Sequence, residues 1–358
     1  MSKPLYYAKK CCDTMMKTFK AEDLPPKGDF HYHQGVFLSG MLNTYKKCNE
    51  EKYFNYIKDW VDSVVAEDGS IPTLRTYMLD DIQPGILLFE LAKRTDDTRY
   101  QKALKLLVDI IKQWPCNPEG GFWHKLHHKN ETWLDSLYMA GQIQAQYSAE
   151  YGCKIHLDVA IKQAMIMYNK MLKKDTNLLC HAWDYYKCSP WADSETGCSP
   201  EVWGRALGWY VVAILDILEF TPESHPKRQT LINIERKTLE AVLKYRDAET
   251  GMWYQVVDKG ELEDNWLESS CSSLFTYSIA RAYRMGICDR TYLDIAKASF
   301  EGIIRHSVDV MNDEIRVKDI CIGTDVGTYK EYIERPTCVN DLHGTGAFLL
   351  MCAELIGT

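Results

Sequence analysis

Apolar residues recur along the chain at three- and four-residue intervals, and stretches of strict alternation are few. Such spacing gathers side chains on one face of a helix. It predicts twelve helical segments, over 5–19, 31–47, 51–65, 83–95, 98–113, 132–151, 155–173, 200–221, 227–245, 268–285, 290–306 and 343–356. Three of them share one apolar face. Tyr53, Ile57, Val61 and Val64 match Tyr100, Leu104, Val108 and Ile111, and again Tyr292, Ala296, Phe300 and Ile303. Two readings stand: a weak internal repeat, or the face that any amphipathic helix displays.

The connectors carry more information. Linkers after the second, fourth, sixth, eighth and tenth segments are only a few residues, as in Lys47-Cys48-Asn49-Glu50. Those before the second, fourth, sixth, eighth, tenth and twelfth are long. Short linkers make antiparallel helix pairs, so strict alternation places every long loop at the same end. The predicted fold is all-α, an (α/α)6 barrel in which six helix pairs close into a toroid and the long loops form a cleft. An open helical solenoid is the alternative. At about 150 residues per domain the length would suggest two or three domains; the alternation argues for one, spanning 1–358.

Tryptophan placement sharpens the cleft. Of the ten, Trp123, Trp133, Trp183, Trp191, Trp203, Trp209, Trp253 and Trp266 fall in long loops or in the opening turns of the next helix. Only Trp60 and Trp114 fall elsewhere. The expectation is a deep aromatic cleft of the kind that stacks on sugar faces.

Composition narrows the classes. The 358 residues include 42 Lys+Arg and 50 Asp+Glu, a net charge of −8. No basic stripe offers the field a nucleic acid needs. No run of 18 apolar residues is present to span a membrane, and the first residues lack the apolar stretch of a signal peptide. A cytoplasmic protein is expected. The 13 cysteines are scattered, with no Cys-x-x-Cys pair, which argues against a disulfide framework or a zinc site. No His-x-x-x-His spacing or acidic calcium loop joins His124, His181 and His343, and no glycine-rich phosphate loop occurs, so neither metal nor cofactor is expected.

The same loops hold the candidate chemistry. Asp80 and Asp81 precede Pro84-Gly85 at a helix start, where Asp80 reads as a cap or as a site carboxylate. Asp135, in the first turn of the sixth segment, reads as a charge favoured by the helix dipole. It also reads as an acid whose pKa Trp133 raises by desolvation. Two carboxylates from separate helices are common equipment for sugar chemistry. His124, His181 and His343 read as structural hydrogen-bonders or as site residues, and Asp325, between Gly323 and Gly327, as a turn. Trp203-Gly204-Arg205-Ala206-Leu207-Gly208-Trp209 sets an arginine fork among tryptophans. Arg205 forms either a structural salt bridge or a seat for a sugar carboxylate.

At these residues the sequence resembles the unsaturated rhamnogalacturonyl hydrolases of glycoside hydrolase family 105, related to the unsaturated glucuronyl hydrolases of family 88. The matching stretches are Leu79 to Gly85, Gly120 to Lys125, Thr132 to Ala140, Trp203 to Trp209, Gly251 to Asp258, Glu268 to Ser272, Arg335-Pro336 and Val339 to Gly344. They run in family order over most of the chain. The resemblance implies hydration of the C4=C5 double bond of an unsaturated uronic acid at the end of a di- or oligosaccharide, after which the sugar is released. It implies Asp135 as general acid and base and Asp80 as second carboxylate, with Asp81 a competitor for that role. It implies a substrate site lined by Tyr32, His124, Trp133, His181, Trp203, Arg205, Trp209 and His343. The assembly expected is a monomer or homodimer. Rival readings are a glucuronyl hydrolase, a sugar epimerase on the same barrel with paired catalytic histidines, and a helical scaffold without catalysis.

Overall fold

The computed structural model describes residues 1–358 and contains thirteen α-helices. They are α1 (Lys3–Thr18), α2 (Tyr32–Cys48), α3 (Glu51–Val64), α4 (Ile86–Arg94), α5 (Arg99–Lys112), α6 (Asp135–Tyr151) and α7 (Lys154–Met171). The chain continues with α8 (Gly204–Phe220), α9 (Arg228–Lys244), α10 (Ser269–Arg284), α11 (Arg290–Ser307), α12 (Tyr329–Ile333) and α13 (Leu342–Glu354). All twelve expected helices are present. No helix is long and apolar enough to cross a membrane.

Packing sorts the helices into two rings. The inner ring runs α2, α4, α6, α8, α10, α13 and back to α2, and each of α3, α5, α7, α9, α11 and α1 packs outside it. This is the (α/α)6 toroid. Burial shows why the sequence chooses it. Outer α5 buries Tyr100, Ala103, Leu104, Leu107, Val108 and Ile111, a single stripe. Inner α8 buries every residue from Gly204 to Leu218. A helix that is apolar all round must be covered on all sides, and a second ring covers it. The three helices with the matching face, α3, α5 and α11, all lie in the outer ring and turn that face inward.

The ring closes where α13 meets α2, two helices from opposite ends of the chain. Gly346 makes this contact possible: a Cβ there would stand 2.5 Å from the carbonyl carbon and oxygen of Val36 and 2.6 Å from the nitrogen of Phe37. At Gly40 it would stand 2.7 Å from the Gly346 oxygen. Backbone cannot swing aside as a side chain can. Gly346→Ala is therefore expected to cost stability at the upper end of the ~1–3 kcal/mol typical of overpacking, seen as a lower urea midpoint. An unchanged midpoint would show that the seam yields.

Several boundaries differ from the sequence reading. α6 begins at Asp135 and not at 132, because Glu131–Trp133 forms strand β1, antiparallel to β2 (Ala182–Asp184). α8 begins at Gly204 because the preceding residues run extended, and α4 begins after two 3-10 turns, the second containing Pro84. The long connector before α13 has structure of its own. It holds the hairpin β3 (Val308–Met311) and β4 (Glu314–Val317), the pair β5 (Ile320–Cys321) and β6 (Thr337–Cys338), and the short helix α12. Both hints were present in the residues. Asn312 and Asp313 carry the positive φ of a two-residue hairpin turn, and Thr328 with Glu331 forms a capping box.

Candidate active site

The long loops cover one end of the ring and enclose a cavity of about 600 Å³. Its position follows from three local pairings. Residues 77–79 run antiparallel to 124–126, with Leu79 N–H donating to the His124 carbonyl and Leu126 N–H to that of Tyr77. This sets Asp80 beside His124. The β1–β2 pair sets His181 against Asp135, because Trp133 is registered with Ala182. Arg205 then fixes the loop that follows β5. Its guanidinium donates to the carbonyls of Cys321 and Ile322 at 2.7 Å each, with Glu268 3.8 Å away.

Asp80, Asp135, Tyr32, His124, Trp133, Trp203, Arg205 and Trp209 all line this cavity. Asp81 does not. Its carboxylate accepts from the Arg75 backbone and from both sides of the Arg75 guanidinium, at 2.7 to 3.0 Å. The doublet is thus divided: Asp80 faces the cavity and Asp81 holds the loop.

His181 and His343 lie behind the cavity wall. His181 is fully buried, with Nε2 3.1 Å from Asp135 Oδ2 and Nδ1 2.7 Å from the Tyr332 hydroxyl. His343 Nε2 is 3.0 Å from the Cys321 carbonyl and Nδ1 is 2.6 Å from Asp341 Oδ1. Arg205, expected to pair with a carboxylate, sits over Trp203 at 4.5 Å and spends its best hydrogen bonds on backbone carbonyls.

The aromatic expectation needs correction as well. Of the eight tryptophans assigned to the cleft, only Trp133, Trp203 and Trp209 line it. Trp253 is fully buried and donates to Val242, and Trp266 donates to Ile333. Indoles in these loops serve mainly as their core, where apolar area and one N–H partner are both satisfied.

Other lining residues escaped the sequence reading. His31, His33, Met78, Lys125, Met139, Glu331, Glu334 and Arg335 also face the cavity, as does Asp325, first read as a turn. Lys125 lies 2.8 Å from Asp325 and 4.9 Å from the Trp133 ring. The only grouping of metal-ligating atoms is His33, Asp341 and His343. Two ligands on one tetrahedral zinc stand about 3.3 Å apart, given bonds of about 2.0 Å. The 2.6 Å between His343 and Asp341 is an ion-pair distance.

Electrostatics separates the two carboxylates. Burial pushes Asp80 up to about 7; Lys125 opposes the shift while Asp135 and Asp81 add to it. Burial also works against a charge on Asp135, but His181 and then His124 overcome it and hold that carboxyl below its ordinary value. Burial holds His124 down at about 3, so its ring is neutral. It stacks on Trp133 at 4.4 Å between centroids.

A toroid of helix pairs with two buried carboxylates on one tryptophan-lined cavity is an arrangement suited to glycoside hydrolysis. The chain belongs to Glycosyl Hydrolase Family 88, whose family model matches residues 7–358. It is similar to a family 105 glycoside hydrolase of C. acetobutylicum ATCC 824, with a TM-score of 0.93 and 34% identity over 97% of this chain and 98% of that one. It is 25% identical over 331 residues to the unsaturated rhamnogalacturonyl hydrolase YesR of Bacillus subtilis (strain 168), covering 90% of this chain and 89% of YesR. The unsaturated 3S-rhamnoglycuronyl hydrolase of Alteromonas sp. (strain LOR) is 25% identical over 338 residues, 90% of this chain and 76% of its own.

Proposed function

We propose that this enzyme removes a 4,5-unsaturated galacturonyl residue from the non-reducing end of pectin (rhamnogalacturonan) lyase products by hydrating its C4=C5 double bond. The observation that carries the reading is the pair of buried carboxylates, Asp80 and Asp135, that face one tryptophan-lined cavity from separate elements. A vinyl ether needs a proton at C4 and a water at C5; Asp135 gives the first and, once ionised, takes the proton of the second, while Asp80 positions the water or the sugar hydroxyls. Addition leaves a hemiketal at C5. Its opening breaks the bond to the ring oxygen, and the resulting hemiacetal at C1 expels the leaving sugar. Trp133, Trp203 and Trp209 offer flat faces to the sugar rings, and Tyr32 and Lys125 offer donors to its polar groups. The names of two relatives, an unsaturated rhamnogalacturonyl hydrolase and an unsaturated 3S-rhamnoglycuronyl hydrolase, support an unsaturated uronide as substrate.

The chemistry uses no metal or cofactor, and the cytoplasm is where this reading places the enzyme. The match to family 88 favours a second substrate, an unsaturated glucuronyl residue. A panel of unsaturated disaccharides separates the two. With EDTA present, unsaturated galacturonyl-rhamnose is expected to lose its double-bond ultraviolet absorbance at least tenfold faster than glucuronyl analogues. The reverse order would transfer the assignment to the glucuronyl series, and inertness of the whole panel would sink the hydration reading.

A further inference from the structure

The connector between α7 and α8 holds two of the thirteen cysteines side by side, and the proposed reaction uses neither. It leaves α7 at Met171, passes through β2 and comes back antiparallel over 197–199. Asp184 N–H donates to the Gly197 carbonyl and Ser199 N–H to that of Ala182, each at 2.9 Å, and Trp183 is bridged to Cys198. Gly197 allows this approach. Its φ is +78°, and a Cβ there would stand 2.3 Å from the Asp184 carbonyl oxygen. The outgoing strand is tied to the end of α7, with Cys180 N–H donating to the Met171 carbonyl at 3.0 Å. Cys198 Sγ reaches the neighbouring carbonyl, that of Lys170, at 3.1 Å. Both cysteines are thus gathered on the last turn of one helix, and their thiols hydrogen bond each other.

The two are not equivalent. Cys180 is fully buried, while Cys198 is partly exposed. The hydrogen bond from Cys180 draws the Cys198 thiol below its ordinary value, against the opposing effect of burial. Burial holds the Cys180 thiol well above its own. An accessible thiol that ionises readily, beside a sheltered one, is the arrangement of an attacking and a resolving cysteine. Cys11, Cys12 and Cys352 make the contrast: all three are fully buried, and burial raises each thiol.

We infer that Cys180 and Cys198 are a reversible oxidation site: hydrogen peroxide joins them in a disulfide, and the bond lowers turnover by shifting His181, the residue next to Cys180. The effect on turnover rests on the reaction proposed above; the thiol chemistry does not. The Cys198 thiolate sulfur bonds one peroxide oxygen as the O–O bond breaks, and the departing hydroxide takes a proton and leaves as water. The Cys180 sulfur, losing its proton, then attacks the sulfenic sulfur. The S–S bond forms, the S–O bond breaks and a second water leaves. The two sulfurs give up two electrons in all, and the peroxide receives them. A small dithiol reverses the change by exchange.

His181 has little slack to absorb this. Its Nε2 lies 3.1 Å from Asp135 Oδ2 and its Nδ1 2.7 Å from the Tyr332 hydroxyl. An S–S bond of about 2.05 Å is shorter than any contact between hydrogen-bonded thiols, so backbone must give. The backbone available is the strand that carries His181 or the strand paired with it.

Trypsin reads the bond without substrate. Cleavage after Lys174, Lys187 and Arg205 puts Cys180 on peptide 175–187, and Cys198 on 188–205 with the exposed Cys188. After peroxide treatment and alkylation of the remaining thiols, the two peptides should be joined in the wild type and in Cys188→Ser, and separate in Cys198→Ser. Separate peptides in the wild type, or a link that needs Cys188, would overturn the site. Turnover of an unsaturated disaccharide should fall about tenfold or more in the linked enzyme, since small misplacements near the chemistry are costly. Dithiothreitol should restore it, and Cys198→Ser should keep the reduced wild-type rate through the treatment. A linked enzyme at full activity would overturn the shift of His181. An enzyme inert before oxidation would refute the proposed reaction alone, because the joined peptides still report the thiols. The His181 ring resonances in 15N-labelled protein, assigned with His181→Asn, would then still report the shift, and unmoved resonances would overturn it.

Discussion

An Asp135→Asn enzyme is expected to lose turnover by about 10²–10⁴-fold, the range typical of a removed acid–base group. The change is nearly isosteric. An asparagine oxygen can still accept from His181 Nε2, so the link to Tyr332 and the start of α6 survive. What disappears is the capacity to take a proton. The circular dichroism spectrum and the urea midpoint should therefore stay close to wild type while the decay of double-bond absorbance falls to near background. KM should change little, because the amide still fills the same place in the cavity wall. A mutant that retained full activity would remove Asp135 from the chemistry altogether.

The second large effect is structural. Arg205 and Glu268 are both buried, 3.8 Å apart. The Glu268 carboxylate caps α10 through Cys271 N–H, and accepts from Ser270 Oγ and Cys321 N–H. Arg205→Met strips the cation from this arrangement and takes the guanidinium fork from the carbonyls of Cys321 and Ile322, leaving them only His343 Nε2 and Thr324 Oγ1 as partners. Breaking a buried pair from one side typically costs about 3–5 kcal/mol, and that loss should appear in urea unfolding at pH 7. Arg205→Lys should not rescue it, since one ammonium cannot span two carbonyls as a planar fork does. Arg205→Met combined with Glu268→Gln should recover part of the loss, because the residual cost is that of an uncompensated carboxylate. A single-mutant cost under about 1 kcal/mol would mean that water replaces the guanidinium at no penalty. Activity should fall even in the folded fraction, as the 323–327 loop that lines the cavity hangs from the same two carbonyls.

Arg205 also shows what the residues alone could and could not convey. The inner and outer helices were legible because burial on one side or on all sides leaves a direct imprint on apolar spacing, as α5 and α8 illustrate. The alternation of short and long connectors was legible for the same reason, since helix ends limit it. Asp80, Asp135 and the Trp203 to Trp209 segment stood out as residue types. Partners did not. Arg205 addresses carbonyls more than a hundred positions away, and no local pattern distinguishes that from a ligand carboxylate. The choice of Asp80 over Asp81 depends on Arg75, and the retreat of His181 behind the wall depends on the register of two three-residue strands. Trp253 looked like Trp203 in sequence context, yet one fills the loop core and the other lines the cavity.

The glycine-lined seam between α2 and α13 carries a further consequence, for how the molecule is made. Of the inner-ring helices, α2 leaves the ribosome before the others and α13 after them. Until the final segment emerges, the arc of hairpins has two raw flanks, and the apolar wall of α2 meets no mate. Contacts between such distant segments are slow to form, and exposed apolar flanks invite association with other chains. A solenoid can stop at any repeat. A ring is finished only once, so the arrival of α13 decides whether the helices before it are sheltered.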